Sequence, residues 1–175
     1  MITWTLDPAH SEVNFKVKHL MITNVTGTFK DYDLKVTSAD ENLQSPTISF
    51  TAKTASIDTG SEQRDQHLRS ADFFDAENYP ELTFAGNGYE KQGDDTYTLT
   101  GDLTIRNITK PVKLDVEFGG LMKDPWGNIK AGFSVTGKIN RKDWDLNWNA
   151  ALEAGGMLVS DDVRISCEIQ LSKQA

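Results

Sequence analysis

The sequence predicts an all-β protein, an antiparallel up-and-down β-barrel of about eight strands with one short capping helix. Three observations carry that prediction. An apolar/polar alternation with a period of two returns in segment after segment. It sets Val13, Phe15, Val17 and His19 against Glu12, Asn14, Lys16 and Lys18, and it lasts until Leu171. Strands that each bury one face close around an interior. Several positions in phase with the large apolar residues are small, namely Ala52, Gly86, Gly88, Gly101, Ala131 and Gly137. Small inward residues bend sheets and leave an interior partly empty. Finally, only the stretch after Asp58 exchanges the alternation for a helical pattern. A two-sheet sandwich is the rival architecture, because alternation alone does not separate the two.

The elements follow in order. Trp4-Thr5-Leu6 is a strand, and Asp7-Pro8-Ala9-His10-Ser11 is a polar turn into the strand that ends at His19. Val25, Gly27 and Phe29 keep odd parity, whereas Tyr32, Leu34 and Val36 keep even parity. The inward face therefore slips by one residue near Lys30-Asp31, as a β-bulge or tight bend requires. Asn42 to Pro46 is a loop before the inward row Ile48, Phe50, Ala52 and Thr54. Thr59 is placed as an N-cap, with Glu62 three residues on and good helix formers from Gln63 to Ser70. The helix, near Ser61 to Ser70, is polar on nearly every side until Leu68, Ala71, Phe73 and Phe74. So sparse an apolar stripe makes it a lid across one end of the barrel, and Pro80 bars its continuation.

Strand character resumes with Leu82, Phe84, Gly86 and Gly88, then Tyr97 to Ile105, then Val112 to Phe118. Lys91 to Asp95 and Arg106 to Pro111 are the intervening turns. Ile129, Ala131, Phe133, Val135, Gly137 and Ile139 make the longest clean row. A Trp-rich connection, Trp144 to Trp148, leads through a Gly155-Gly156 loop to the last strand, Val163 to Leu171.

The 175 residues suit a single domain, residues 1–175. A formal net charge of −8 argues against nucleic acid or an anionic membrane surface as a standing partner. Cys167 is the only cysteine, which excludes an intrachain disulfide and a thiolate metal cluster. Its place among Val163, Ile165, Ile169 and Leu171 reads as a small buried hydrophobe. No apolar run reaches transmembrane length, so no stable membrane insertion is expected. With no basic-then-apolar leader, the chain as given is expected in the cytoplasm, or in the periplasm if a leader has been removed.

Three histidines without H-E-x-x-H spacing or a compact pair predict no metal site. Asp7, His10 and Ser11 invite a hydrolase reading, but no G-x-S-x-G elbow accompanies them, and turn-capping accounts for Asp7 and Ser11. Arg64, Asp65 and His67 come nearest to a catalytic constellation, with Arg64 and His67 sharing a helix face. They serve either as a head-group anchor at a tunnel mouth or, for Arg64 and Asp65, as a pair tying the lid to the barrel rim.

A family likeness rests on an ordered series of motifs. They are Asp7-Pro8-Ala9-His10-Ser11, Val25-Thr26-Gly27-Thr28-Phe29, Ala55-Ser56-Ile57-Asp58-Thr59-Gly60 and Gln63-Arg64-Asp65-Gln66-His67-Leu68-Arg69-Ser70, then Asp72-Phe73-Phe74-Asp75, Tyr79-Pro80, Leu82-Thr83-Phe84, Gly101-Asp102-Leu103-Thr104-Ile105, Lys110-Pro111-Val112 and Ile139-Asn140-Arg141-Lys142-Asp143-Trp144. Through nearly its whole length the chain resembles the YceI family of lipocalin-like, polyisoprenoid-binding proteins. The resemblance implies a barrel that holds a long isoprenoid or other lipid-like chain in an apolar tunnel, often as a homodimer. Members of that family occur both with and without export signals, many of them exported to the periplasm, and the chain as given resembles the leaderless ones.

Contacts to such a ligand are expected from Phe15, Val17, His19, Phe29, Phe50, Phe84, Leu103, Ile105 and Phe133 as tunnel wall. Leu68, Phe73 and Phe74 serve as lid, and Arg64 and Asp65 stand at the mouth. Plain core packing is the alternative for each apolar member, and a hydrogen-bonded core or rim histidine is the alternative for His19. The expected function is binding, storage or transport of a polyisoprenoid, quinone-like or fatty-acyl lipid, with no catalytic residue and no cofactor besides that ligand. An enzyme that modifies such a lipid through Arg64, Asp65 and His67, or His10, is the alternative.

Overall fold

In the computed structural model, which describes residues 1–152 and 157–174, the alternating segments become eleven strands. They are β1 (Ile2–Leu6), β2 (Glu12–His19), β3 (Thr23–Phe29), β4 (Tyr32–Ser38), β5 (Thr47–Lys53), β6 (Ile57–Asp58), β7 (Glu81–Lys91), β8 (Thr96–Ile105), β9 (Ile108–Lys123), β10 (Ile129–Asn140) and β11 (Val159–Lys173). One helix, α1 (Glu62–Arg69), stands between β6 and β7. The Gly155-Gly156 loop expected before the last strand lies outside the described residues.

Six of these strands are halves of three bent staves. β1 and β2 lie end to end along β11, separated by the single turn Pro8–His10. β3 and β4 lie end to end against them, and β5 and β6 against those in turn. Each stave then neighbours the next in sequence, and β1 closes the ring by pairing with both β4 and β11, Trp4 opposite Val36 and Leu6 opposite Leu171. The result is a closed, eight-stranded antiparallel barrel with up-and-down connections. Closure removes the exposed edges that an open sheet or sandwich must protect.

The bends on neighbouring staves are locked together. The parity slip at Lys30-Asp31 is where β3 gives way to β4. The Thr54–Ser56 turn stands beside it, with Lys30 N–H donating to Ser56 O (3.2 Å) and Lys53 N–H to Asp31 O (2.8 Å). A second slip, between Gly86 and Gly88 on β7, departs from the sequence reading. The bulge takes Gly88 out of the inward phase and brings Tyr89 into it, because one extra residue reverses which face the next side chain joins. The turn expected over Arg106 to Pro111 shrinks to Arg106-Asn107, both at positive φ, and β9 already begins at Ile108.

The helix also begins later than the capping signature suggests. Ser61, not Thr59, is the N-cap, its Oγ accepting from Arg64 N–H at 3.3 Å. Gly60 at φ +85° turns the chain between the two. At the other terminus the helix stops at Arg69, well before Pro80, as Ser70 caps it through its N–H to His67 O (3.1 Å).

Two apolar clusters divide the interior. One surrounds Trp4 with Val36, Leu43, Ala131, Ile169 and Leu171 at the end holding the chain termini. Its buried polar atoms are satisfied, since Trp4 Nε1–H donates to Ser38 Oγ (3.0 Å) and Ser38 to Asp40 O (2.7 Å). The other runs from the middle of the barrel to α1 and includes Phe29, Phe84, Leu103, Val116 and Trp144. The small inward residues are not themselves voids. Phe15 lies over Gly27, Phe84 over Gly101 and Leu114 over Gly137, while Ala131 is sealed against the Trp4 cluster.

Candidate ligand-binding tunnel

An interior packed like a crystal leaves its inward apolar side chains buried. Here many remain only half-buried, among them Val13, Val17, Val25, Val112, Val135, Ile139, Val163 and Ile165. The surface they retain faces a cavity of about 430 Å³ inside the barrel, within the range of small-molecule sites. Its wall descends from Arg64, His67 and Trp148 beside α1 to Leu43, Pro46 and Leu171 at the Trp4 end. From Val163 to Leu171 along β11 the lining covers eight residue steps, roughly 26 Å at ~3.3 Å each. Length on that scale suits an extended hydrocarbon chain.

The mouth is built by α1, the residues that follow it and the 141–150 segment. Asp65 is buried, and its Oδ1 accepts from Thr59 N–H (2.9 Å) and Thr59 Oγ–H (2.6 Å). Arg64 reaches the same residue from solvent, Nε donating to Thr59 Oγ1 (2.6 Å) and Nη2 to Thr59 O (2.6 Å). The lid is therefore clamped through Thr59. Phe73 and Phe74 turn back into the barrel as the chain curls, Phe74 N–H donating to Leu68 O (3.0 Å). The His67 ring packs edge-on against Trp148 (centroids 4.6 Å) and Phe73 (5.1 Å), with Nε2 2.9 Å from Asp72 Oδ2.

Opposite the lid, Arg141 is buried and clasps four backbone carbonyls. Nε donates to Ser160 O (2.9 Å), Nη1 to Trp148 O (2.8 Å) and to Leu146 O, and Nη2 to Val159 O (3.4 Å). Burial pushes its pKa down from the ordinary value while Asp161 opposes the shift. Trp144, almost fully enclosed, donates from Nε1 to Leu103 O (2.9 Å) and fixes the same segment to β8. The charged and imidazole side chains on the tunnel wall are Lys18, His19, Arg64, His67 and Arg141, all at this end. No aspartate or glutamate joins them among the described residues, although the chain carries 26 acidic side chains against 18 lysines and arginines.

Residues 4–171 match the family model described as YceI-like domain. The chain belongs to the YceI family. It is 43% identical to Protein YceI of Escherichia coli over 137 residues, covering 78% of this chain and 71% of that one. Among solved structures it is similar to the Campylobacter jejuni YCEI protein, with TM-score 0.78 and 38% identity over 97% of each chain. It shares its fold with a polyisoprenoid binding domain from Saccharophagus degradans, with TM-score 0.74 and 14% identity over 99% of this chain and 100% of that one.

In this YceI-family barrel the residues singled out in sequence have definite places. Phe15, Val17, His19, Phe29, Phe50, Phe84, Leu103, Ile105 and Phe133 line the tunnel, as do Arg64, Leu68, Phe73 and Phe74 at its lid. Asp65 is the correction. It faces Thr59 rather than the tunnel, and it forms no ion pair with Arg64, because the two adjacent side chains leave α1 in different directions and meet only through Thr59.

Asp7, His10 and Ser11 gather at the break between β1 and β2. Asp7 caps no turn with its side chain. Its Oδ2 instead receives Lys130 Nζ (3.1 Å) and Gln170 Nε2 (3.3 Å), with His10 Nδ1 at 3.1 Å. Burial raises the Asp7 carboxyl, but the hydrogen bonds and charges of Lys130 and His10 outweigh it and hold it below its ordinary value. Ser11 Oγ accepts from Gln170 N–H at 2.9 Å. Together they stitch the bent stave to β10 and β11.

Sequence reasoning passed over Leu43, Arg141, Trp148 and Leu158, all of which line the tunnel. Leu43 held the only readable signal, an apolar residue in a polar loop. Asp40 folds that loop, its Oδ1 accepting from Asn42 N–H (3.0 Å) and Gln44 N–H (3.3 Å), and Leu43 is turned inward to close the far end.

Proposed function

We propose that this protein binds a long-chain polyisoprenoid or related amphiphilic lipid, for storage or transport. The chain lies in the tunnel and the head group beside Lys18, Arg64 and His67. The observation that carries this reading is a tunnel along the barrel axis whose apolar lining is left half-exposed and whose basic groups lie at one end only. Each CH₂ taken from water contributes about 0.8 kcal/mol, so a long chain binds firmly with few polar contacts. The name of the Saccharophagus degradans domain adds support for an isoprenoid. A lipid-modifying enzyme is the weaker reading, because Arg64 and Asp65 are spent on Thr59 and the His67 ring is packed between Trp148 and Phe73.

Native mass spectrometry of the purified protein, followed by organic extraction, tests the proposal. A stoichiometric lipid that leaves on extraction and rebinds unchanged is the expected result, and the same spectra report whether the homodimer implied by the family resemblance forms. Failure to take up any lipid after exposure to a total membrane extract overturns the binding reading. Recovery of a chemically altered lipid favours the enzyme.

A further inference from the structure

The β2–β3 hairpin stands at the tunnel mouth and is built against its own backbone preferences. His19 to Ile22 form a tight turn closed by Ile22 N–H to His19 O (3.1 Å), with Leu20 at φ +53° and Met21 at φ +61°. Two successive residues at positive φ define the hairpin turn that asparagine and glycine fill readily and bulky side chains do not. Arg106-Asn107 makes the same turn with polar residues, whereas here the strained positions hold two bulky apolar side chains, which directs attention to what those side chains meet.

What the turn presents is three consecutive apolar side chains, Leu20, Met21 and Ile22, 41%, 59% and 78% exposed. Beside them lies Met157, 44% exposed, on the segment that Leu20 N–H grips through Leu158 O (2.9 Å). The next residues inward, His19, Leu158 and Val159, already belong to the tunnel wall. An exposed apolar ridge thus runs unbroken into an apolar interior.

We propose that this hairpin tip, with Met157, dips into the surface of a zwitterionic lipid bilayer and seats the tunnel mouth there for loading and unloading. The proposal rests on the lipid-binding reading above and adds where exchange takes place. The occupant follows from the cargo: at about 0.8 kcal/mol per CH₂ a long-chain lipid has almost no free concentration in water, so its source and destination are membranes. The tip residues Leu20 to Ile22 carry no charge and the chain as a whole carries −8, so burial of the apolar tip, rather than attraction to an anionic surface, is what holds the hairpin there. Flexible Met side chains suit a fluid, irregular partner.

The test pairs Leu20→Asn with Met21→Gly in one variant, since that sequence suits the turn and neither residue lines the tunnel. Flotation with phosphatidylcholine vesicles measures docking, and transfer of a pyrene-labelled fatty acid between such vesicles measures exchange. Relative to wild type, the variant is expected to unfold at higher temperature and to bind the pyrene fatty acid in vesicle-free buffer equally well. It is also expected to lose at least about tenfold in both flotation and transfer rate.

The double variant Met122→Ser/Trp126→Ser, which removes exposed apolar groups at the opposite end of the barrel, is expected to match wild type. Unchanged flotation of the hairpin variant overturns the proposal. So does a tip that holds two copies of the protein together, seen by light scattering as a wild-type dimer and a monomeric variant with equal flotation. A wild-type protein that floats but takes up no pyrene fatty acid keeps the docking and defeats the lipid-binding reading instead.

Discussion

The ring of Phe15 lies across the bare backbone of Gly27, its cross-strand partner on β3, so closely that a Cβ at Gly27 would stand 2.3 Å from Phe15 Cζ. The glycine gives the phenyl ring a shelf beside the tunnel and holds it against Phe29, 5.8 Å away between centroids. Gly27→Ala must therefore move an aromatic ring. A loss of about 1–3 kcal/mol is expected, the range for overpacked cores, read from urea denaturation. If the ring instead swings into the tunnel, stability holds and lipid uptake falls. No change in either measurement would mean that the ring is free to move.

Thr59 carries both lid residues. Thr59→Val removes the hydroxyl that joins Arg64 and Asp65 while keeping the backbone donor, and a loss of about 1–3 kcal/mol is expected because a buried carboxylate loses a partner. In the Thr59→Val background the separate costs of Arg64→Ala and Asp65→Ala are expected to shrink, measured by double-mutant cycles. Costs that stay the same would show that the clamp does not run through the hydroxyl.

Val135→Trp tests occupancy. Val135 is half-buried on the tunnel wall in mid-barrel, so a larger side chain there can extend into the cavity, whereas Gly101→Leu collides at once with Phe84 and Ala85 O. The expected result is a folded protein without lipid in native mass spectra. A variant with a wild-type thermal transition and an undiminished lipid complement would place the ligand elsewhere.

Cys167 reports on the tunnel from inside. Burial pushes its thiol up to about 11, so at neutral pH the unreactive protonated form dominates. Labelling by a disulfide reagent is expected to be slow, to accelerate about tenfold per pH unit below that value, and to slow again when lipid is bound. Labelling that ignores lipid would place the ligand away from β11.

Acid should unclasp the bent β1–β2 stave. The Asp7 carboxyl is held below its ordinary 3.8, so its contribution to stability is complete above that value and is lost as pH falls through the lower folded value. The stability gap between wild type and Asp7→Asn is therefore expected to be widest at neutral pH and to close below about pH 3.8, followed by urea titrations. A gap that is constant with pH would assign the effect to hydrogen-bond geometry rather than charge.

What the sequence determined alone was the alternation and its interruptions. Period-two patterning fixes which face of each strand turns inward, and a parity slip fixes a bend. For that reason the strands, the kink at Lys30-Asp31 and the aromatic wall are legible in the order of the residues. Tertiary structure decided everything that depends on which partner the folded chain holds against a side chain. Whether an inward glycine is a void or a shelf depends on the ring across from it, as Phe15 and Gly27 show. Whether Arg64 and Asp65 pair or diverge depends on where Thr59 is held. Arg141 looks like a surface residue in a polar motif until the fold brings four carbonyls around it, Leu146 and Trp148 from its own segment and Val159 and Ser160 from the start of β11. Local patterning encodes orientation because each residue's direction is set by its immediate neighbours. Contacts across a closed barrel are set by register and closure, which no local window contains.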